Sequence, residues 1–434
     1  MKLDWRKTFF IGFGFLGISL MWQVYNLFVP LFLQAGNPEF EAQSATGILG
    51  FGLSASIAGA IMTLDNVAAL FLLPLVGIWS DRTRTRVGRR YPFILTAAPV
   101  AAIAFVLIPV AAKMINPAAN GSVSANPGAF TLFLIAIGLM LLAMAFFRTP
   151  VIALMPDLTP SPLRSKANGV INFMGGLGGI IASLGLARFF DVDPLIPFAS
   201  GSGLLLLAVL LLFITVREPR LSDTAAEAQQ EAVERVTLGS ALRAGDRSLI
   251  FLLAAIFCWF VGFNAIETFF SSYAVTTLGV SAGTAGTLFS IALGLFILFS
   301  IPAGYIGTRL GRRLTIMLGL LIFAVLLVVA YFVPSVPVIA AILGLGGAGW
   351  ALVNINSLPM VVDLTRNERL LGTYTGFYYA ASQTAAIFGP ILNGLIIDAT
   401  GRNYASIFLA TPAFFVLALI CMAFVRRGEA YASA

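Results

Sequence analysis

The stretch GIWSDRTRTRVGRRYPF, residues 77–93, gathers five arginines and one aspartate in a chain of which only 10% of residues are charged. The apolar run 50–79 leads into it and the run 92–113 leaves it. Each exceeds the roughly 20 helical residues that cross a bilayer, so the tract reads as a charged turn between two membrane spans. Counting such runs then gives the fold. Twelve occur, near 8–34, 50–79, 92–113, 129–155, 167–189, 195–216, 248–277, 284–307, 314–333, 336–361, 371–397 and 403–425. With 434 residues, 59% of them hydrophobic, and a mean hydropathy of +0.95, the chain is too apolar for a soluble domain. The first run is too long, and too rich in Trp22, Gln23 and Asn26, for a cleaved signal peptide. Cys258 and Cys421 fall inside expected spans, which predicts two buried thiols and no disulfide framework.

The net charge of +7 marks sidedness rather than a nucleic-acid partner. Alternate loops collect Lys2, Arg6 and Lys7; Arg82, Arg84, Arg86, Arg89 and Arg90; Arg164 and Lys166; Arg217, Arg220, Arg235, Arg243 and Arg247; Arg309, Arg312 and Arg313; Arg366 and Arg369; Arg426 and Arg427. The opposite loops keep Lys113, Arg188 and Arg402. This positive-inside asymmetry predicts a multi-pass membrane protein with both termini cytoplasmic, and the plasma or inner membrane is taken as its default location.

The chain also repeats itself. GIWSDRTRTRVGRR, ending at Arg90, has a shorter echo in GYIGTRLGRR, ending at Arg313, each between the second and third span of its half. LMPDLTPSPLRSKANG (154–169) pairs with VVDLTRNERLLGTYTG (361–376), each between a fourth and a fifth span. Residues 217–247 are polar, and DTAAEAQQEAVERV within them alternates charges at helical spacing, as a cytoplasmic surface helix would. The expected plan is an N-terminal six-helix bundle (1–216), that linker, and a C-terminal six-helix bundle (248–434). Two parallel repeats predict a binding site near the membrane midplane.

Twelve spans, the six-plus-six repeat and the pattern G-x-x-x-D-R-x-x-x-R-x-G-R-R resemble the major facilitator superfamily. SDRTRTRVGRRYPFI, ALMPDL (153–158) and KANGVINF (166–173) resemble its sucrose-transporter branch and the related glycoside-pentoside-hexuronide:cation symporters. The resemblance implies that Asp81, Arg82 and Arg89 join helix ends in a cytoplasmic gate, with Asp157 and Asp363 as acidic partners. The second echo lacks an aspartate equivalent to Asp81. Alignment with the fourth span of sodium-coupled melibiose permeases puts Arg148 where they carry a sodium-liganding aspartate, which favours a proton over sodium.

Three charged residues lie well inside spans: Asp65, Arg148 and Glu267. Each costs roughly 2.5–3.5 kcal/mol at a helix centre on insertion scales, so each is expected to face the protein interior. At 1.5 Å per residue, Asp65 sits about 24 Å from Asp81 and Arg148 about 13 Å from Asp157. The chain has no histidine, so a proton carrier must be a carboxylate, Asp65 or Glu267, with Arg148 tuning it or binding substrate. The alternative is a static salt bridge between helices.

Sugar binding asks for aromatic faces and amides that pair with hydroxyls in a mostly apolar pocket. Trp22, Gln23 and Asn26 on span 1, Asn264 beside Glu267 on span 7, Trp350 and Asn354 on span 10, and Tyr379 and Gln383 on span 11 supply them. Interhelical hydrogen bonds are the competing role. No His/Cys metal spacing, nucleophile elbow or Walker loop occurs, so no enzyme activity, metal or cofactor is expected. The expectation is an all-α, twelve-helix secondary active transporter, a proton-coupled sugar symporter that works as a monomer in the lipid bilayer. A facilitator or exporter of another small solute, and a non-transporting receptor or scaffold, are the alternatives.

Overall fold

A computed structural model describes residues 4–41, 47–159, 163–218, 247–365 and 371–429. The expected linker helix between 217 and 247 lies almost wholly outside them. Among the described residues thirteen α-helices of eight residues or more follow one another: α1 Trp5–Gln34, α2 Ala55–Met62, α3 Leu64–Arg82, α4 Tyr91–Lys113, α5 Pro127–Leu158, α6 Arg164–Ile180, α7 Leu195–Thr215, α8 Arg247–Thr276, α9 Ala282–Leu310, α10 Arg312–Phe332, α11 Val336–Val362, α12 Leu371–Ala399 and α13 Ile407–Phe424. No strand occurs among the described residues. Twelve candidate membrane spans result, the second formed by α2 and α3 together. Helices are what this composition dictates, because hydrocarbon offers no hydrogen-bond partner and each segment must satisfy its own backbone.

The second span is broken where the sequence reads as one run. At Thr63 the side-chain hydroxyl bonds the Ala60 carbonyl at 2.8 Å, and α3 restarts at Leu64 with Asp65 in its first turn. A carboxylate there is favoured by the positive end of the helix dipole. The fifth span departs from α-geometry too: Ile181–Leu186 forms a π-helical turn, in which Ser183 Oγ donates to the Gly179 carbonyl at 2.8 Å. Cys258 and Cys421 are free and half-buried rather than buried.

The described residues fall into two compact units. One holds 4–41, 47–53, 64–159, 163–218 and 279–290; the other holds 54–63, 247–278, 291–365 and 371–429. The same packing pairs recur in each. In the first unit α1 packs on α6 and α7, and α4 on α5 and α7; in the second α8 packs on α12 and α13, and α10 on α11 and α13. The first core is aromatic, with Phe28 stacked on Phe190 at 4.1 Å beside Phe32 and Phe198. In the second, Tyr273 meets Phe408 edge-on at 4.5 Å. The grouping departs from the sequence halves in two places: α2 joins the second unit, and the start of α9 joins the first.

Candidate functional site

The arginine loop splits by burial. Arg82, Arg84 and Arg86 are exposed, whereas Arg90 is buried and Arg89 half-buried. Arg90 Nη2 meets Asp81 Oδ1 at 2.5 Å, its Nε meets Asp157 Oδ2 at 2.9 Å, and its Nη1 donates to Ser80 Oγ. Arg89 Nη2 takes the other Asp157 oxygen at 2.7 Å. Asp157 therefore bridges both guanidiniums, one oxygen to each, and Arg90 uses its several N–H groups to reach Asp81, Asp157 and Ser80 at once, which a lysine's compact ammonium would not match. Glu218, just past α7, accepts from the Arg90 backbone N–H at 2.9 Å and stands 3.7 Å from Arg89 Nε. It thus caps the start of α4. The sequence reading placed Asp81, Arg89 and Asp157 in this group and missed Arg90, Ser80 and Glu218. Arg82, expected with them, joins no ion pair among the described residues.

The second unit repeats the cluster with one arm changed. Arg312 Nη1 pairs with Asp363 Oδ2. Glu429 accepts from the backbone N–H groups of Arg312 at 2.6 Å and Arg313 at 3.0 Å, as Glu218 does in the first half. Arg313, the counterpart of Arg90, has no equivalent of Asp81 to bind. Its guanidinium instead donates to the Met422 and Ala423 carbonyls at 3.0 and 2.7 Å, at the end of α13, where a cation complements the helix dipole. A signal for both glutamates was present, since each follows the last span of its half and lies beside the G-R-R tract that it caps.

Within the membrane-spanning helices, Asp65 Oδ1 accepts from Asn66 Nδ2 at 2.9 Å. Tyr25 on α1 lies within electrostatic reach of Asp65, and its buried hydroxyl has no hydrogen-bond partner among the described residues. Trp22 meets the Tyr25 ring edge-on at 5.6 Å. Gln23 is buried. Asp65, Arg148, Asn26 and, in the other unit, Glu267 each engage at least one neighbouring group. Tyr25 was missed because a tyrosine in an apolar run carries no signal of its own.

In the second unit Asn264 spends an amide N–H on the Phe260 carbonyl of its own helix, at 2.7 Å. Trp350 is stacked on Phe263, centroids 4.0 Å apart and 5° from parallel, with Phe260 against it edge-on at 5.5 Å. One face of that indole is therefore taken by protein. Asn354 and Gln383 are half-buried, Gln383 Oε1 being buried without a partner among the described residues, and Tyr379 is exposed. Tyr378, beside it, shares a hydrogen bond with Ser357 at 3.2 Å. Among the described residues no three His, Cys, Asp or Glu side chains come together as a metal site.

A family model described as MFS/sugar transport protein matches residues 10–425, nearly the whole chain. The chain belongs to the MFS/sugar transport protein family. Its twelve candidate membrane spans, counted among the described residues, fit a multi-pass membrane protein of that family. A sucrose transport protein of Arabidopsis thaliana is 30% identical over 136 residues, 30% of this chain and 23% of the relative. Human solute carrier family 45 member 3 is 30% identical over 191 residues, 43% of this chain and 31% of the relative. The matches thus span under half the length of these curated members. Two solved structures share the fold over nearly their full length. A D-xylose-proton symporter has TM-score 0.65 at 19% identity, covering 98% of this chain and 99% of its own. The nucleoside transporter NupG has TM-score 0.69 at 17% identity, covering 96% and 100%.

Proposed function

We propose that this family member is a proton-coupled symporter of a sucrose- or maltose-like sugar, working by alternating access in the plasma or inner membrane with both termini cytoplasmic. The carrying observation is Asp65. It is a carboxylate within a membrane span of a histidine-free chain, set in the first turn of α3 and hydrogen-bonded by Asn66. A carboxylate that takes up and gives up a proton is the coupling chemistry open to a chain without histidine. Glu267 on α8 is the second candidate carrier, and Arg148 the cation that sets carboxylate affinity. The sucrose transport protein among its relatives and the xylose-proton symporter fold support the same reading. Trp22, Gln23 and Asn26 are the preferred sugar-binding group of the first unit, and Asn264, Asn354, Tyr379 and Gln383 are the candidates of the second. Trp350, with one face against Phe263, contributes its edge or its second face.

The two arginine clusters are proposed as the cytoplasmic gate, closed by Asp81, Asp157 and Asp363. The test is uptake of labelled sucrose, maltose and glucose into proteoliposomes under an outside-acidic gradient, then after its collapse by a protonophore. Gradient-dependent accumulation of one sugar is expected. Equal equilibration with and without the gradient would replace symport by facilitated diffusion.

A further inference from the structure

The end of the chain opposite the arginine clusters carries a second repeat. SASIAG, residues 54–59, opens α2, and SAGTAG, residues 281–286, opens the helix six spans later. Each serine is the N-cap of its helix: Ser54 Oγ accepts from the Ile57 N–H at 3.3 Å and Ser281 Oγ from the Thr284 N–H at 3.1 Å. An N-cap serves only part of the first turn. Further first-turn N–H groups are met by an aspartate far away in sequence. Asp398 binds the Ala55 and Ser56 N–H groups, one with each oxygen, both at 2.9 Å. Asp191 binds the Gly283 N–H at 3.0 Å and the Ser281 hydroxyl at 2.6 Å.

The aspartates occupy equivalent places. Asp398 lies in the last turn of α12, and Asp191 lies in the turn just past Phe189, the end of the fifth span. A carboxylate at a helix C-terminus is disfavoured by its own helix dipole, so neither side chain is explained by the helix that carries it. The partner's N-terminus explains both. A small residue four positions earlier, Ala187 or Gly394, lets each crossing close: a Cβ at Gly59 would strike the Pro390 carbonyl, and one at Gly286 would strike the Ala187 methyl. Each contact ties a helix start to a span from the other sequence half while lying within one compact unit.

We propose that Asp191 and Asp398 are a matched pair of latches that hold the chain shut at this end and must release for it to open there. They are positioning residues, and they hold α2 and the start of α9 without touching substrate. The inference rests on the alternating-access reading above.

The test places one thiol in each latch, in a Cys258→Ala/Cys421→Ala background, by Ala58→Cys or Ala285→Cys; both alanines are fully buried and lie three residues into their helices. The rate of labelling by a hydrophilic maleimide is measured on the purified full chain in detergent. Asp398→Asn is expected to speed labelling at position 58 roughly five- to tenfold, and Asp191→Asn at position 285, the order expected from losing a helix cap. Asp398→Glu, which keeps the charge, restores the slow rate. A thiol at buried Ala208, in α7, stays slow. Unchanged rates at positions 58 and 285 overturn the proposal. Should either aspartate variant also speed labelling at 208, Ser281→Ala, which leaves Asp191 in place and removes the hydroxyl's bonds to Asp191 and to Thr284, must raise labelling at 285 alone, and its failure to do so is equally fatal. Labelling needs neither sugar nor gradient, so the latch can stand if symport fails, and fail if symport stands.

Discussion

Arg90 shows how little a side chain's identity says about its energy until its neighbours are known. Five arginines lie within the opening tract, yet only Arg89 and Arg90 meet carboxylates within it or across to α5. Arg90→Ala leaves the half-buried Asp157 with Arg89 as its remaining ion-pair partner and should lower stability by about 3 kcal/mol, the low end for a broken buried pair because Arg89 still serves Asp157 and Asp81 stays hydrated. Arg82→Ala, on an exposed side chain, should fall within about 0.5 kcal/mol. Thermal melting of the purified variants checks the contrast. For coupling, Asp65→Asn should abolish gradient-driven accumulation while leaving sugar exchange and melting near wild type. Lost folding instead would make Asp65 a structural tie. A simpler pair lies outside the spans: the Lys113 ammonium, 2.5 Å from Asp193, holds that carboxyl below its usual range. A depressed carboxylate stabilises above its unfolded pKa and loses that contribution as pH falls through the folded value. Melting in Lys113→Ala should therefore differ from wild type at neutral pH and converge with it only at pH below the ordinary carboxylate range.

At the scale of helices, ends matter more than middles. The first turns of α4 and α10 receive Glu218 and Glu429, one from beyond each half's last span. Glu429 is exposed, so Glu429→Ala should cost about 1 kcal/mol, as other cap losses do. Glu218, whose side chain is 2% exposed and also faces Arg89, should cost about 2 kcal/mol when replaced by alanine, since burial raises the penalty for the groups left behind. Differential scanning of the two variants reads the ratio. The helices themselves were legible, because a run of apolar residues long enough for the bilayer has one outcome. The break at Thr63 was not. Its hydroxyl bonds within the preceding turn, and nothing in the run from 50 to 79 separates a threonine that ends a helix from one that continues it. Tyr25 was equally silent, since only the fold brings it near Asp65.

Across the whole molecule, the internal repeat predicted equivalent packing, and α1/α6/α7 and α8/α12/α13 repeat the same set of neighbours. Contact grouping nonetheless moves 54–63 and 279–290 out of their sequence halves. Either half expressed alone should therefore be unstable, because α2 or the start of α9 lacks its partner, whereas co-expression of 1–230 with 231–434 should restore a monodisperse complex. Size-exclusion chromatography of the single and paired fragments decides this.

The sequence alone determined the span count, the repeat and the membrane class. These follow from composition averaged over about 20 residues, and the bilayer enforces that average without reference to any partner. Tertiary structure decided which arginine meets which carboxylate, and why the aspartates Asp191 and Asp398 stand at the ends of their spans. Those outcomes depend on groups tens to hundreds of residues apart approaching within 3 Å, a distance that no local pattern encodes because hydrogen bonds and ion pairs are decided by geometry in space.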